Sequence, residues 1–143
     1  MQNFLEITCP IARCANFVGD TWNLLILRDA NLGLTRFDEF RKSLGIAPTM
    51  LTKRLAMLTD EGLLEKHRYS ERPPRDEYRL TAAGRDFIPV LFMIGAWGAK
   101  HRAGGKMMQF LDAQTGHSIE PVAMDAATGA ALGTRPIQVV VPK

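Results

Sequence analysis

The stretch Leu63–Gly84, LLEKHRYSERPPRDEYRLTAAG, decides the fold. Two runs of strand character, Leu63–Tyr69 and Glu77–Leu80, flank a basic tip with adjacent prolines, Pro73 and Pro74. Strand, prolyl turn, strand is a hairpin pattern. Thr81 then stands where a long helix needs its N-cap. Upstream, Pro48–Glu61 carries Leu51, Leu55 and Leu58 on one helical face. Thr49, Lys53 and Ala56 point the opposite way, with Thr52 on the flank. A shorter amphipathic helix holding Phe37, Phe40 and Leu44 precedes it and stops at Gly45. Two helices joined by a short glycine-containing turn, then a basic hairpin, give the layout of a winged helix-turn-helix.

Outward from this unit, Met1–Thr8 reads as a loose arm. A helix from Pro10 places Ile11, Ala12, Ala15 and Val18 on one side and breaks at Gly19. Asp20 is suited to cap the next helix, which carries Trp22, Leu25, Ile26 and Asp29 at helical spacing. After a break at Asn31, Gly33 and Thr35, the pair Thr35 and Asp38 resembles a capping box. The helix capped by Thr81 runs to about Arg102, and its Phe87–Ile94 stretch is apolar nearly all round. Such a helix must be buried on every side, which predicts a second subunit against it; Pro89 should kink it. Beyond Gly104 and Gly105 charges become few, short β-like stretches such as Gln138–Val141 appear, and Gln114–His117 and Ala127–Ala130 look like paired turns. The predicted class is α+β, mainly α: a winged helix-turn-helix with dimerisation helices at both ends and a small C-terminal β appendage. The expected division is 1–105 for DNA binding and dimerisation and 106–143 for the appendage.

At 143 residues the chain is one domain, or one domain and a small appendage. It has no apolar run of the ~18 residues a membrane span needs. The first residues, MQNFLEITCPIAR, lack the order of a secretory signal, so a cytoplasmic protein with no membrane partner is expected. Net charge is +3, but distribution says more. Ten basic and eight acidic residues lie between Arg36 and Arg79, with Lys66, Arg68, Arg72 and Arg75 crowding the hairpin. The acids Asp60, Glu61 and Glu65 gather at the far end of the preceding helix. Such separation of sign suits a DNA surface. Cys9 and Cys14, five apart on a helix, sit about 140° apart around its axis, so no bond between them is expected. His67, His101 and His117 share no ligand spacing. With no catalytic set, glycine-rich phosphate loop or metal quartet, neither an enzyme nor a cofactor is expected.

Together these residues resemble the HxlR-type winged-helix transcriptional regulators of bacteria and archaea. The matching pieces are Cys9-Pro10, Trp22 with Leu25–Arg28, Arg36–Phe40, Leu51–Leu55 with Leu58, and Asp60–Leu63. The sharpest is Pro73-Pro74-Arg75 through Tyr78, Leu80-Thr81 and Gly84. The resemblance covers roughly Cys9 to Lys100 and implies a homodimer held by the N-terminal helix and the long helix after the wing. It also implies a palindromic operator and, in some members, sensing of quinones, aldehydes or oxidants through a cysteine corresponding to Cys9. Two departures stand out. Ala47 replaces the usual capping serine before Pro48, losing a cap worth ~1 kcal/mol. The tail resembles a zinc-ribbon extension whose Cys-Gly turns have become Thr115-Gly116 and Asp125–Gly129, so its metal is read as lost.

The candidate DNA-binding residues are therefore Thr49, Thr52 and Lys53 for the major groove, Arg72 and Arg75 on the wing, and Arg36 and Lys42 for phosphates. Arg54, beside the leucine face, is a candidate phosphate contact or the partner of an acid. Tyr78 reads as core. Cys9, at a helix N-terminus with Arg13 one turn on, is a candidate sensor thiol; the plainer alternative is a small buried hydrophobe. Cys14 reads as packing. Ile11, Phe87, Ile88, Leu91, Phe92, Ile94 and Trp97 are the candidate dimer interface, with Trp97 filling the dimer core or lining an aromatic effector pocket. The expected function is a dimeric, sequence-specific DNA-binding repressor answering an oxidant, electrophile or aromatic small molecule. The alternative is a winged-helix module that docks onto another protein.

Overall fold

The computed structural model describes residues 8–142. All but the last residue of the arm expected over Met1–Thr8 lies outside them. The elements are α1 (Pro10–Val18), α2 (Thr21–Asn31), α3 (Phe37–Leu44), α4 (Pro48–Asp60), β1 (Leu64–Glu71), β2 (Pro74–Leu80) and α5 (Ala82–His101). The chain separates into two compact units, one through Ile88 and one from Pro89. The division falls inside α5 at the residue whose missing N–H breaks the helical ladder.

In the first unit, α2, α3 and α4 enclose a core of Ile26, Leu27, Phe40, Ile46, Leu51, Leu55 and Leu58, closed by Leu63, Leu64 and Ile88. Asp20 caps α2 as expected, its Oδ1 accepting from the Asn23 amide at 3.0 Å. Asp29 is a buried carboxylate with its donors in place: Ser43 Oγ donates at 2.7 Å and Arg28 pairs at 2.9 Å. This ties α2 to α3. Gly45 ends α3 in the left-handed conformation, φ 64°, which permits the tight turn into α4.

The N-terminus of α3 differs from the Thr35 and Asp38 box. Glu39 is the capping carboxylate, accepting from the amides of Thr35 at 3.2 Å and Arg36 at 3.0 Å. These two hydrogen bonds hold its pKa below the usual carboxylate range. Thr35 is taken by the wing instead. Its carbonyl accepts from the Tyr78 amide at 2.7 Å and its hydroxyl lies 3.4 Å from Glu77. A one-residue bridge, Arg36 to Glu77, extends the hairpin to the start of α3.

β1 and β2 pair antiparallel from Leu64↔Leu80 to Glu71↔Pro74, leaving Arg72 and Pro73 as the tip. Both strands run further than their apolar patterning indicated. Pro74 is tolerated because it begins its strand, where no ladder donor is required. A bulge at Tyr69 shifts the register between Arg68 and Ser70.

The motif Leu80-Thr81-x-x-Gly84 joins wing to helix. Thr81 donates its amide to Leu63 O at 3.0 Å, and its hydroxyl accepts from the Gly84 amide at 3.0 Å. Gly84 is buried, and a Cβ there would meet Leu63 O at 2.2 Å and Leu80 Cδ2 at 3.0 Å. Gly84→Ala is therefore expected to destabilise the first unit by about 2 kcal/mol through overpacking against backbone, read as a lower denaturation midpoint. An unchanged midpoint would mean that α5 packs on the wing differently.

In the second unit, the rest of α5 leads into a tail bearing two similar turns. The Leu111↔Ser118 and Met124↔Ala131 bridges close them. Asp112 Oδ1 accepts from the amides of Gln114 and Thr115, and Asp125 accepts from the Ala127 amide and the Thr128 hydroxyl. The Thr128 hydroxyl, followed by the Ala127 amide, holds the Asp125 carboxyl below its usual range. Side-chain carboxylates thus close both turns of the tail.

Candidate nucleic-acid interface

The α4 helix presents Thr49, Thr52, Lys53 and Ala56 to solvent and buries Leu51, Leu55 and Leu58 beneath them. The Thr52 hydroxyl donates to Pro48 O at 3.0 Å, which leaves its oxygen able to accept. Ala47 gives α4 no side-chain cap, so its first turn keeps open amides at the positive end of the helix dipole. Lys53 has no ion pair among the described residues, and neither does Lys42 on α3.

Arg54 behaves differently. It is half-buried, and its guanidinium pairs with Asp20 Oδ2 at 2.9 Å. Asp20 thus serves two helices, capping α2 with one oxygen and anchoring α4 with the other. Of the two roles open to Arg54, the structure places it with the acid. Arg54 Nε and Asn23 Oδ1 are buried without hydrogen-bond partners among the described residues. Asp20→Ala is expected to cost about 2 kcal/mol, because cap and ion pair are lost together, and Arg54→Ala about 1 kcal/mol. Equal denaturation midpoints for the two variants would contradict the double role.

On the wing, register sorts the cations. Arg68 pairs with Asp76 at 3.1 Å and Glu71 at 3.5 Å, and Lys66 reaches Asp76 at 3.6 Å. Arg68, followed by Lys66, keeps the Asp76 carboxyl below its usual range. Arg79 is paired with Glu77. Arg72 and Arg75, at and beside the prolyl tip, are exposed and carry no ion pair among the described residues. The exposed Arg36 guanidinium lies 4.3 Å from the centre of the Tyr69 ring, a cation–π arrangement that holds it beside the wing. Tyr69, Arg36, Arg75 and Tyr78 line an open groove of about 650 Å³ between the start of α3 and the wing. Tyr69 was not legible as a functional residue, because the bulge that re-aims it leaves no local signal. Tyr78 is half-buried in β2, on the inner side of that groove.

Cys9 is the exposed N-cap of α1, and its carbonyl accepts from the Arg13 amide. Cys14 is also an exposed free thiol, donating to Pro10 O at 3.0 Å, rather than a packed residue. The reason is that α1 buries none of its side chains within the chain. Ile11 is 81% exposed. Phe87 is half-buried with its ring 5.1 Å from Phe17, and Ile88 belongs to the core of its own chain. In the second unit, Leu91 is half-buried and Phe92 stands edge-on to Phe110 at 5.0 Å. Ile94 is exposed and Trp97 is 55% exposed, with Arg102 4.9 Å from its ring centre. Among the described residues no cluster of three or more His, Cys, Asp or Glu could hold a metal, and no helix is long and apolar enough to cross a membrane.

The family model of HxlR-like helix-turn-helix proteins matches residues 17–106. The HTH-type transcriptional regulator Rv3095 of Mycobacterium tuberculosis is 42% identical over 91 residues, which cover 64% of this chain and 58% of the relative; the chain thus spans little more than half of that protein's length. Among solved structures, the candidate transcription factor PA1607 superposes with a TM-score of 0.87 at 33% identity, over 97% of this chain and 99% of that one. The redox regulator HypR in its reduced form gives 0.62 at 30% identity, over 66% of this chain and 94% of that one. The chain, a mainly helical winged helix-turn-helix, belongs to the HxlR-like helix-turn-helix family of DNA-binding transcriptional regulators.

Proposed function

We propose that this protein represses transcription as a homodimer on a palindromic operator, with one α4 helix in the major groove of each half-site and the wing tip on the flanking backbone. The observation that carries the reading is the pattern of free and paired cations. Among the described residues Lys53, Lys42, Arg72 and Arg75 carry no ion pair, while Arg54, Lys66 and Arg68 are held by acids. Thr49, Thr52 and Lys53 then read base edges, and Arg36, Lys42, Arg72 and Arg75 meet phosphates. Dimerisation gives cover to Ile11, Ile94 and Trp97, which the chain leaves exposed.

Cys9 is the candidate sensor. Its thiol is exposed at the start of a helix with no fully buried side chain, where chemical modification would bear on the subunit contact. The likeness to a protein described as a redox regulator supports an oxidant or electrophile as the signal.

Selecting bound fragments from genomic DNA and titrating affinity against salt tests the reading. A single palindromic motif, with affinity falling steeply as salt rises, is expected from counterion release. Binding with no motif, or a flat salt response, would favour a docking module for another protein. Repeating the titration after oxidant with wild type and Cys9→Ser tests the sensor: only the wild type should change.

A further inference from the structure

The two units differ in how they hold apolar side chains. Every buried apolar residue of the described chain lies at or before Ile88, and no residue of 89–142 is buried. Fifteen of the eighteen exposed large apolar side chains lie beyond Pro89. The second unit therefore has turns and a helix but no core. Its arrangement is not idiosyncratic, because PA1607 superposes over 97% of this chain. An exposed apolar surface this concentrated marks an association site.

Within that unit α5 and the first part of the tail line a groove of about 1150 Å³, whose apolar part is joined by Lys100, Arg102, Lys106 and Glu120. Phe92, Met107 and Phe110 form its walls, and Gly95, Ala96 and Ala99 keep its floor low. A Cβ at Gly95 would meet Phe110 at 3.3 Å. The same chain holds a segment with complementary needs. Ile137-Gln138-Val139-Val140-Val141 is uncharged and rich in β-branched residues, its four aliphatic side chains are exposed, and Val139 is 83% exposed. Its backbone has no hydrogen-bond partner among the described residues. It does not line its own groove.

We propose that in the homodimer, on which this inference rests, the Ile137–Val141 segment of each copy fills the apolar part of the groove of the other. A two-fold axis makes the exchange reciprocal, so both grooves fill in one event. The alternation of the segment turns Ile137, Val139 and Val141 towards the groove and leaves Gln138 and Val140 outward. Burying apolar side chains from both copies provides the core that neither second unit has alone. The tail is then a dimerisation arm, which gives it a role independent of any metal.

Cross-linking the full chain tests the exchange. In a background with Cys9→Ser and Cys14→Ser, Ala99→Cys is combined with Val139→Cys and the protein is oxidised mildly. A reducible covalent dimer is expected, forming at least tenfold faster than with either cysteine alone. A disulfide within one chain, giving monomer mobility, would overturn the exchange. A dimer by light scattering without the cross-link would sink the exchange and leave the dimer standing, whereas a monomer throughout would remove both. As a second variant, Val139→Asp with Val141→Asp should raise the dimer dissociation constant at least tenfold and leave the helical signal of the first unit intact. An unchanged constant counts against the arm.

Discussion

Phe40→Ala is expected to lower the stability of the first unit by about 3–5 kcal/mol, the largest loss foreseen for a single substitution. Phe40 is fully buried on α3. Its ring belongs to the core that α2, α3 and α4 enclose. Truncation removes an aromatic side chain and leaves a cavity that three helices and their hydrogen-bonded ties cannot close. Asp29 and Ser43 clamp α2 to α3, and the Asp20–Arg54 pair clamps α2 to α4, so collapse would break polar contacts as well. Domains of this size hold about 5–15 kcal/mol in all. The loss should appear as a large drop in denaturation midpoint at fixed protein concentration, with operator affinity falling in proportion to the unfolded fraction. A shift under about 1 kcal/mol would show that the site refills.

The second large effect concerns binding. Replacing Arg72 and Arg75 together by alanine is expected to weaken operator affinity on the order of tenfold to a hundredfold and to reduce the slope of log affinity against log salt by about two. Both guanidiniums are exposed and carry no ion pair among the described residues, so on the proposed operator each would bring its full charge to a phosphate and release counterions there. Lys66→Ala and Arg68→Ala are the matched controls, because Asp76 and Glu71 already pair with these side chains. Their slopes should move less. If the double variant kept the slope of the wild type, the wing tip would not touch the backbone. Stability should hardly change, since surface positions without partners contribute little to it.

The helix order, the leucine face of α4, the prolyl wing and the Thr81 and Gly84 junction were legible because each is written in local terms. They depend on spacing along one helix, on residues that cap or break, and on a glycine where backbone approaches backbone. The family could be read for the same reason: its marks are short and stand in order. Candidate DNA contacts could be picked out from the outer face of α4 and from the cations, but not which cations are paired, since charge is visible in sequence and partnership is not.

Tertiary structure decided the partnerships, because they depend on register and on what lies across an element. The strand register places Lys66 and Arg68 beside Asp76, while Arg72 and Arg75 carry no ion pair among the described residues. The bulge sends the Tyr69 ring to Arg36. Glu39 rather than Asp38 caps α3, because Thr35 is drawn into the sheet by residues 42 and 43 positions away. Arg54 joins Asp20 across a 34-residue gap that no periodicity spans. Ile88, one residue in an apolar run, closes the core of its own chain, while Ile94 and Trp97 in the same helix face outward. The sequence by itself thus determined a winged helix-turn-helix built for DNA, since local patterning suffices for that. Only packing in three dimensions decided which charges remain available to DNA and which apolar side chains still lack a core.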